Sequence, residues 1–229
     1  MEDIKKIEKK NAAAKAAKEV KNGQVIGVGS GSTVSYFIEE IGRRIKEEEL
    51  RIQAVTSSFQ SHYELIKHGV PLTTLDEHPL LDMTIDGADE VDKNLNLIKG
   101  GGAALTQEKI IARYTKKLII IVDSSKFVET LGQFPLPIEV IPKATTPVKN
   151  YIKQLGATPK IRLGIKKMGP IITDNGNFIL DCQFNRIEKP EELEKELNNI
   201  PGIVENGLFT GLTDTVYIGK GDTIIIKTK

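Results

Sequence analysis

The apolar positions of this chain fall into short continuous runs separated by stretches in which they recur every three or four residues. An Ala-rich, Lys- and Glu-flanked segment over 3–20 predicts a helix ending at the turn pair Asn22-Gly23. A strand over 24–27 follows. After Ser30-Gly31-Ser32-Thr33, the residues Val34, Phe37, Ile38, Ile41 and Ile45 share one face of a helix. The alternation continues with a strand over 52–55, a helix over 58–68 stopped by Gly69, and a short strand over 70–72. A strand over 80–85, a helix after Thr106 and a strand over 118–122 come next. Short apolar strands alternating with helices predict an α/β fold built on a mostly parallel, doubly wound sheet.

The punctuation changes at Phe134-Pro135-Leu136-Pro137, where the prolines exclude helix and mark a boundary. Beyond it the pattern predicts a strand over 138–141, a helix over 146–155 and a strand over 160–165. A hairpin turning at Asp174-Asn175-Gly176-Asn177 leads into a strand over 178–182, then a helix over 191–198 and a strand over 203–205. That order suits a small βαββαβ domain spanning 134–206. Strands at 216–218 and 223–226 are expected to return to the first sheet, so the first domain comprises 1–133 plus 207–229 and the second is an insertion.

Composition narrows the function classes. Lys plus Arg number 32 against 31 Asp plus Glu, a formal net charge of +1, which supplies no long-range field to gather nucleic acid or anionic lipid. The lone Cys182 cannot close an intrachain disulfide, and His62, His68 and His78 show no zinc-ligand spacing. The opening six residues are charged and lack the apolar core of a signal peptide, and no run approaches the roughly 18 apolar residues of a membrane helix. A cytosolic, metal-free protein with no nucleic-acid or membrane partner is expected.

Five segments carry candidate chemistry. Gly27-Val28-Gly29-Ser30-Gly31-Ser32-Thr33 sits between a strand and a helix, where free N–H groups and the positive helix end favour an anion such as phosphate. The third glycine position of the dinucleotide fingerprint holds Ser32 or Val34, and no Gly-Lys-Ser/Thr ending follows, so NAD and ATP are disfavoured. The same turn also fits a helix cap with no ligand. Asp86-Gly87-Ala88-Asp89-Glu90 leaves a strand at its C-terminal end, where α/β sheets bind ligands. It suits either a solvated turn or hydrogen bonds to sugar hydroxyls, and lacks calcium-loop spacing.

Lys99-Gly100-Gly101-Gly102 lets backbone approach a ligand closely, or is a flexible loop. Glu108, early in the next helix with Thr106 near its N-cap, is either an available base or a complement to the helix dipole. Lys99 and Lys126 stand at strand exits, where a cation holds phosphate or an oxyanion, or is an ordinary surface lysine.

Taken in order with Thr56-Ser57-Ser58 and Asp123-Ser124-Ser125-Lys126, these motifs closely resemble type A ribose-5-phosphate isomerases. The resemblance continues through Phe134 to Val140, Thr173 to Asn177 and Ile200-Pro201-Gly202, covering nearly the whole chain. It implies a Rossmann-like first domain, a ferredoxin-like second domain, a cytosolic homodimer or homotetramer, and no metal or organic cofactor. It implies that Glu108 is the proton acceptor, with Asp86, Asp89 and Lys99 as further catalytic candidates. Sugar-phosphate contacts are implied at Ser30, Gly31, Ser32, Thr33, Asp86, Gly87, Ala88, Asp89, Lys99, Gly100, Gly101, Gly102 and Lys126. Lys9 or Lys10 matches a family lysine that reaches the phosphate. Ser30 and Thr56 depart from the threonine and serine frequent in the family, and both keep the hydroxyl.

Two other classes fit parts of the pattern. A non-catalytic sugar-phosphate sensor shares the architecture and controls an attached DNA-binding module, but the first segment here is expected to be one helix rather than a helix-turn-helix with a basic face, and Glu108 has no necessary purpose in a sensor. An acyl (CoA) transferase would use glutamate as a nucleophile and leave a trappable acyl adduct.

Overall fold

The structure, a computed structural model, describes residues 2–229. In chain order its elements are α1 (Glu2–Ala17), β1 (Val25–Val28), α2 (Ser32–Glu47), β2 (Gln53–Thr56), α3 (Phe59–Lys67), β3 (Met83–Asp86), β4 (Glu90–Val91), β5 (Leu97–Ile98), α4 (Leu105–Arg113) and β6 (Leu118–Asp123). They continue with β7 (Leu136–Val140), α5 (Thr145–Gln154), β8 (Thr158–Ile161), β9 (Phe178–Gln183), α6 (Pro190–Asn198), β10 (Ile203–Asn206), β11 (Leu208–Phe209), β12 (Thr215–Lys220) and β13 (Thr223–Thr228). Two compact units result. One holds the chain up to Ala88, Gln107–Phe127 and Leu212–Lys229; the other holds Asp89–Thr106 and Val128–Gly211.

The first unit is a six-stranded sheet in the order β13-β12-β6-β3-β1-β2. Every pairing is parallel except that of the edge strand β13 with β12. Strand β6 is buried along its entire length, as a continuous Leu-Ile-Ile-Ile-Val run requires when helices cover both faces of a sheet. Helix α2 buries Val34, Phe37, Ile38 and Ile41, the stripe expected from its spacing, while Ile45 is only partly buried. Helix α1 lies on the sheet through Ala12, Ala13, Ala16 and Ala17, all at most 1% exposed, whose small side chains allow a close approach. Its end is fixed by Arg44, which donates to the carbonyls of Ala17 and Val20.

The five parallel strands, counted in chain order, lie 2-1-3-4-5 across the sheet. The chain leaves β1 for a neighbour on one side and later returns on the other, so the β1–β3 boundary is a topological switch point. Sheets of this kind bind ligands outside the carboxyl ends of the strands at such a point.

The second unit contains the antiparallel sheet β10-β7-β9-β8, with α5 and α6 completing a βαββαβ order of ferredoxin type. Ile138, Val140, Val148, Ile152, Leu180 and Leu197 form its core. A three-stranded sheet, β11-β5-β4, accompanies it. Cys182 is buried on β9, and burial followed by the neighbouring Asp181 charge pushes its thiol pKa up.

Three expected strands differ. Residues 70–72 make only an isolated parallel bridge, Ala54 to Leu72, because Pro71 has no N–H to extend a ladder. The strand expected over 80–85 is Met83–Asp86, since the Leu81 N–H and carbonyl bond Tyr114 and Lys116 in a separate bridge. The strand expected over 160–165 ends at Ile161: the chain turns into a loop closed by Leu163 pairing with Pro170, and Ile165 projects wholly into solvent.

Candidate active site

At the switch point hydrogen bonds join Ser30 to Asp86 and to Glu108. Strand β1 leads into Gly29-Ser30, β3 ends in Asp86, and Glu108 lies in the first turn of α4. The Ser30 hydroxyl donates to Glu108 Oε1 at 2.6 Å. Asp86 Oδ1 accepts from the N–H groups of Ser30 at 3.2 Å and Gly87 at 2.7 Å, which ties the turn after β1 to the turn after β3. Asp86 is 1% exposed and Glu108 4%, so both carboxyls sit away from bulk water.

This closeness depends on Gly29. A Cβ at that position would stand 1.8 Å from Asp86 Oδ1, so any side chain would drive the carboxylate off the turn.

Helix α2 starts immediately after this turn, with Gly31 at its N-cap and no side-chain cap. Its first-turn N–H groups and the hydroxyls of Ser32 and Thr33 form a cluster of donors at a positive helix end. Lys9, reaching from α1, donates to Ser32 Oγ at 2.9 Å, bringing a cation to the anion-favouring turn. Lys10 instead stands 5.4 Å from the Tyr36 ring centroid. Lys126 follows β6 in a single 3-10 turn and is half-buried. That turn is held by Asp123, which accepts from the Ser125 N–H, and by Glu8, which accepts from the Ser124 N–H and hydroxyl at 3.0 and 2.9 Å. Burial pushes the Glu8 pKa upward, but hydrogen bonds from Gly221 and Ser124 outweigh it and hold the carboxyl below its ordinary value.

The remaining candidates belong to the second unit. Asp89 Oδ2 accepts from the Gly101 N–H at 2.7 Å, and a Cβ on Gly101 would stand 2.6 Å from Asp89 Oδ1. Lys99 is 3% exposed, with Nζ 5.6 Å from the Phe209 ring centroid, so it is no surface lysine. Gly100 has φ +100°, a conformation glycine adopts freely. Gly102 follows in the same turn.

Thr106 does not cap α4. The helix begins at Leu105, and the Thr106 hydroxyl donates to Glu139. Glu139 is fully buried in β7 and also accepts from Thr173 at 2.7 Å, Asn175 at 3.0 Å and Asn177 at 2.9 Å. Neither Glu139 nor Arg162, which touches the glycine loop, is marked in the sequence: the partners of Arg162 lie 19 and 62 positions away. Among the described residues no three His, Cys, Asp or Glu side chains group as metal ligands, and no helix is long and apolar enough to cross a membrane.

Comparison with known proteins places this geometry in a family. The sequence profile described as Ribose 5-phosphate isomerase A (phosphoriboisomerase A) matches residues 53–223. A ribose-5-phosphate isomerase A of Methanothermobacter thermautotrophicus is 51% identical over 218 residues, 95% of this chain and 96% of the relative. The solved ribose 5-phosphate isomerase A of Methanocaldococcus jannaschii superposes with a TM-score of 0.93 at 46% identity, covering 96% of this chain and 98% of that one. A D-ribose-5-phosphate isomerase in complex with phospho-erythronic acid superposes with a TM-score of 0.95 at 45% identity, covering 96% and 97%. With relatives this similar over nearly the full length of both chains, the protein belongs to the ribose 5-phosphate isomerase A family and is a pentose phosphate isomerase.

Proposed function

We propose that the chain interconverts D-ribose 5-phosphate and D-ribulose 5-phosphate by proton transfer through an enediolate, with Glu108 as the base. Moving a carbonyl between adjacent carbons requires removal of a weakly acidic C–H proton at C2 and delivery of a proton to C1. One carboxylate within reach of both carbons does both tasks, and such general-base catalysis is worth roughly 100-fold to 10,000-fold. The observation that carries this reading is the 2.6 Å hydrogen bond from Ser30 to Glu108 Oε1, which fixes the carboxylate beside the donor-rich turn that begins α2.

In this reading the phosphate is held by Gly31, Ser32 and Thr33, with Lys9 supplying charge and Ser30 orienting Glu108, and the reacting carbons are oriented by binding of a group that never reacts. Asp86, Gly87, Ala88 and Asp89 contact the sugar hydroxyls, and the Asp86 and Asp89 carboxyls assist furanose opening. Lys99 and the N–H groups of Gly100 and Gly102 stabilise the enediolate oxygen, while the Gly101 N–H holds Asp89. Loss of one such donor costs on the order of 100-fold to 1,000-fold. Lys126 adds a cation to the substrate. The relative bound to phospho-erythronic acid supports the chemistry. A phosphorylated sugar acid combines a phosphate with a planar, anionic oxygen pair, the charges an enediolate of a sugar phosphate carries. The same reading makes the enzyme a cytosolic homodimer or homotetramer.

The test is turnover in heavy water followed by NMR of both sugar phosphates. Proton transfer through a carboxylate places solvent deuterium at C1 of the ketose and, on reversal, at C2 of the aldose. A shielded carboxylate can return the same hydrogen to C1, so carry-over of the C2 hydrogen counts against the reading when Glu108→Gln also turns over near-normally.

A further inference from the structure

We infer that Arg162 is a positioning residue for the isomerisation, holding the 100–102 peptides in the orientation in which the loop meets the substrate. The inference rests on the proposed contact between this loop and the sugar phosphate.

Within itself the loop has one turn hydrogen bond, from the Ala103 N–H to the Gly100 carbonyl at 3.0 Å. It follows the two-residue strand β5, contains three successive glycines, and places Gly100 and Ala103 at φ +100° and +64°. Such a segment is expected to populate many conformations unless other groups fix it. Two groups do so. Arg162 Nη1 donates to the carbonyls of Gly100 at 3.0 Å and Gly101 at 2.9 Å. Asp89 accepts from the Gly101 N–H at 2.7 Å.

In a trans peptide the carbonyl of one residue and the N–H of the next point to opposite edges of the same plane. Arg162 and Asp89 therefore grip opposite edges of the peptide joining Gly100 to Gly101. By the same geometry, the bond to the Gly101 carbonyl turns the Gly102 N–H away from Arg162. The guanidinium sets which way the loop's donors point.

Arg162 is itself held. Its Nε donates to Asp181 Oδ2 at 2.9 Å and its Nη2 to Asp181 Oδ1, a fork that fixes the guanidinium plane on strand β9. Its side chain is 16% exposed, so the arrangement is largely shielded from water. Four of the five guanidinium N–H groups are engaged in this way. A lysine at this position has the charge but lacks the planar fork needed to span two carbonyls and a carboxylate.

The experiment compares wild type with Arg162→Ala, Arg162→Lys and Gly101→Ala by kcat, KM for ribose 5-phosphate and thermal unfolding. Arg162→Ala is expected to lose roughly 10-fold to 100-fold in kcat/KM, since misplacing a preorganised group by about 1 Å costs that much. Millimolar guanidinium should restore part of the alanine variant's rate and leave wild type unchanged, and Arg162→Lys should remain impaired. Wild-type kinetics in Arg162→Ala, full activity in Arg162→Lys, or a loss that guanidinium does not relieve overturns the inference. Gly101→Ala, whose Cβ would meet Asp89, separates the two levels. If it is impaired while Arg162→Ala is not, only the role of Arg162 fails. If both retain wild-type kinetics, the loop does not contact substrate and that part of the proposed function fails too.

Discussion

The Ser30 hydroxyl donates to Glu108 Oε1 at 2.6 Å, joining residues 78 positions apart in the turn after β1 and at the start of α4. A short hydrogen bond to a buried carboxylate restricts its rotation. Ser30→Ala removes that bond while keeping the turn. Hydrogen bonds to charged groups contribute about 1.5–3 kcal/mol, so kcat/KM should fall roughly 10-fold to 100-fold. Steady-state kinetics checks this, and Ser30→Thr, which keeps the hydroxyl, should retain most of the activity.

Gly29→Ala places a methyl 1.8 Å from Asp86 Oδ1 and forces the carboxylate away from the Ser30 and Gly87 N–H groups. The expected result is a stability loss of about 1–3 kcal/mol together with a larger proportional loss of activity. Urea unfolding measured beside the isomerase assay separates the two.

Glu139 gathers donors from Thr106, Thr173, Asn175 and Asn177 while fully buried. Glu139→Leu would leave those donors without their acceptor, each costing about 1–3 kcal/mol where it stays buried. A loss of at least about 3 kcal/mol is expected in equilibrium unfolding, with Glu139→Gln milder because it keeps one acceptor oxygen.

Glu8 predicts the acid side of the stability curve. Its folded pKa lies below the ordinary 4.5: burial opposes ionisation, but hydrogen bonds from Gly221 and Ser124 prevail. A depressed carboxylate contributes stability that is complete above its unfolded value and is lost as pH falls through the folded one. Glu8→Gln should therefore destabilise the protein at pH 7 and flatten the decline in unfolding free energy below about pH 4.5. An unchanged slope would remove Glu8 from this role.

Much of this arrangement is legible along the chain because it arises from local physics. The stripe of Val34, Phe37, Ile38 and Ile41 predicts α2, and the unbroken apolar run of β6 marks a strand covered on both faces. The glycine turns at 27–31 and 100–102 stand out because few other sequences allow backbone to come so close to another group. Strands β4, β5 and β11 were not legible, since two residues are too short to show a period. The alternating apolar residues around Leu163 and Ile165 mimic a strand although Ile165 packs against nothing. Glu139 reads as an ordinary polar residue in a strand, and Arg162 as a surface charge. Each acquires its role from partners far away in the chain, which no local pattern records.

The central claim is that the carboxylate of Glu108 carries the proton. Glu108→Gln keeps the shape and the acceptor for Ser30 but cannot take a proton, so turnover of ribose 5-phosphate should fall by roughly 100-fold to 10,000-fold while sugar-phosphate binding, followed by calorimetry, stays within a few-fold of wild type. Near-normal turnover in that variant would contradict the account.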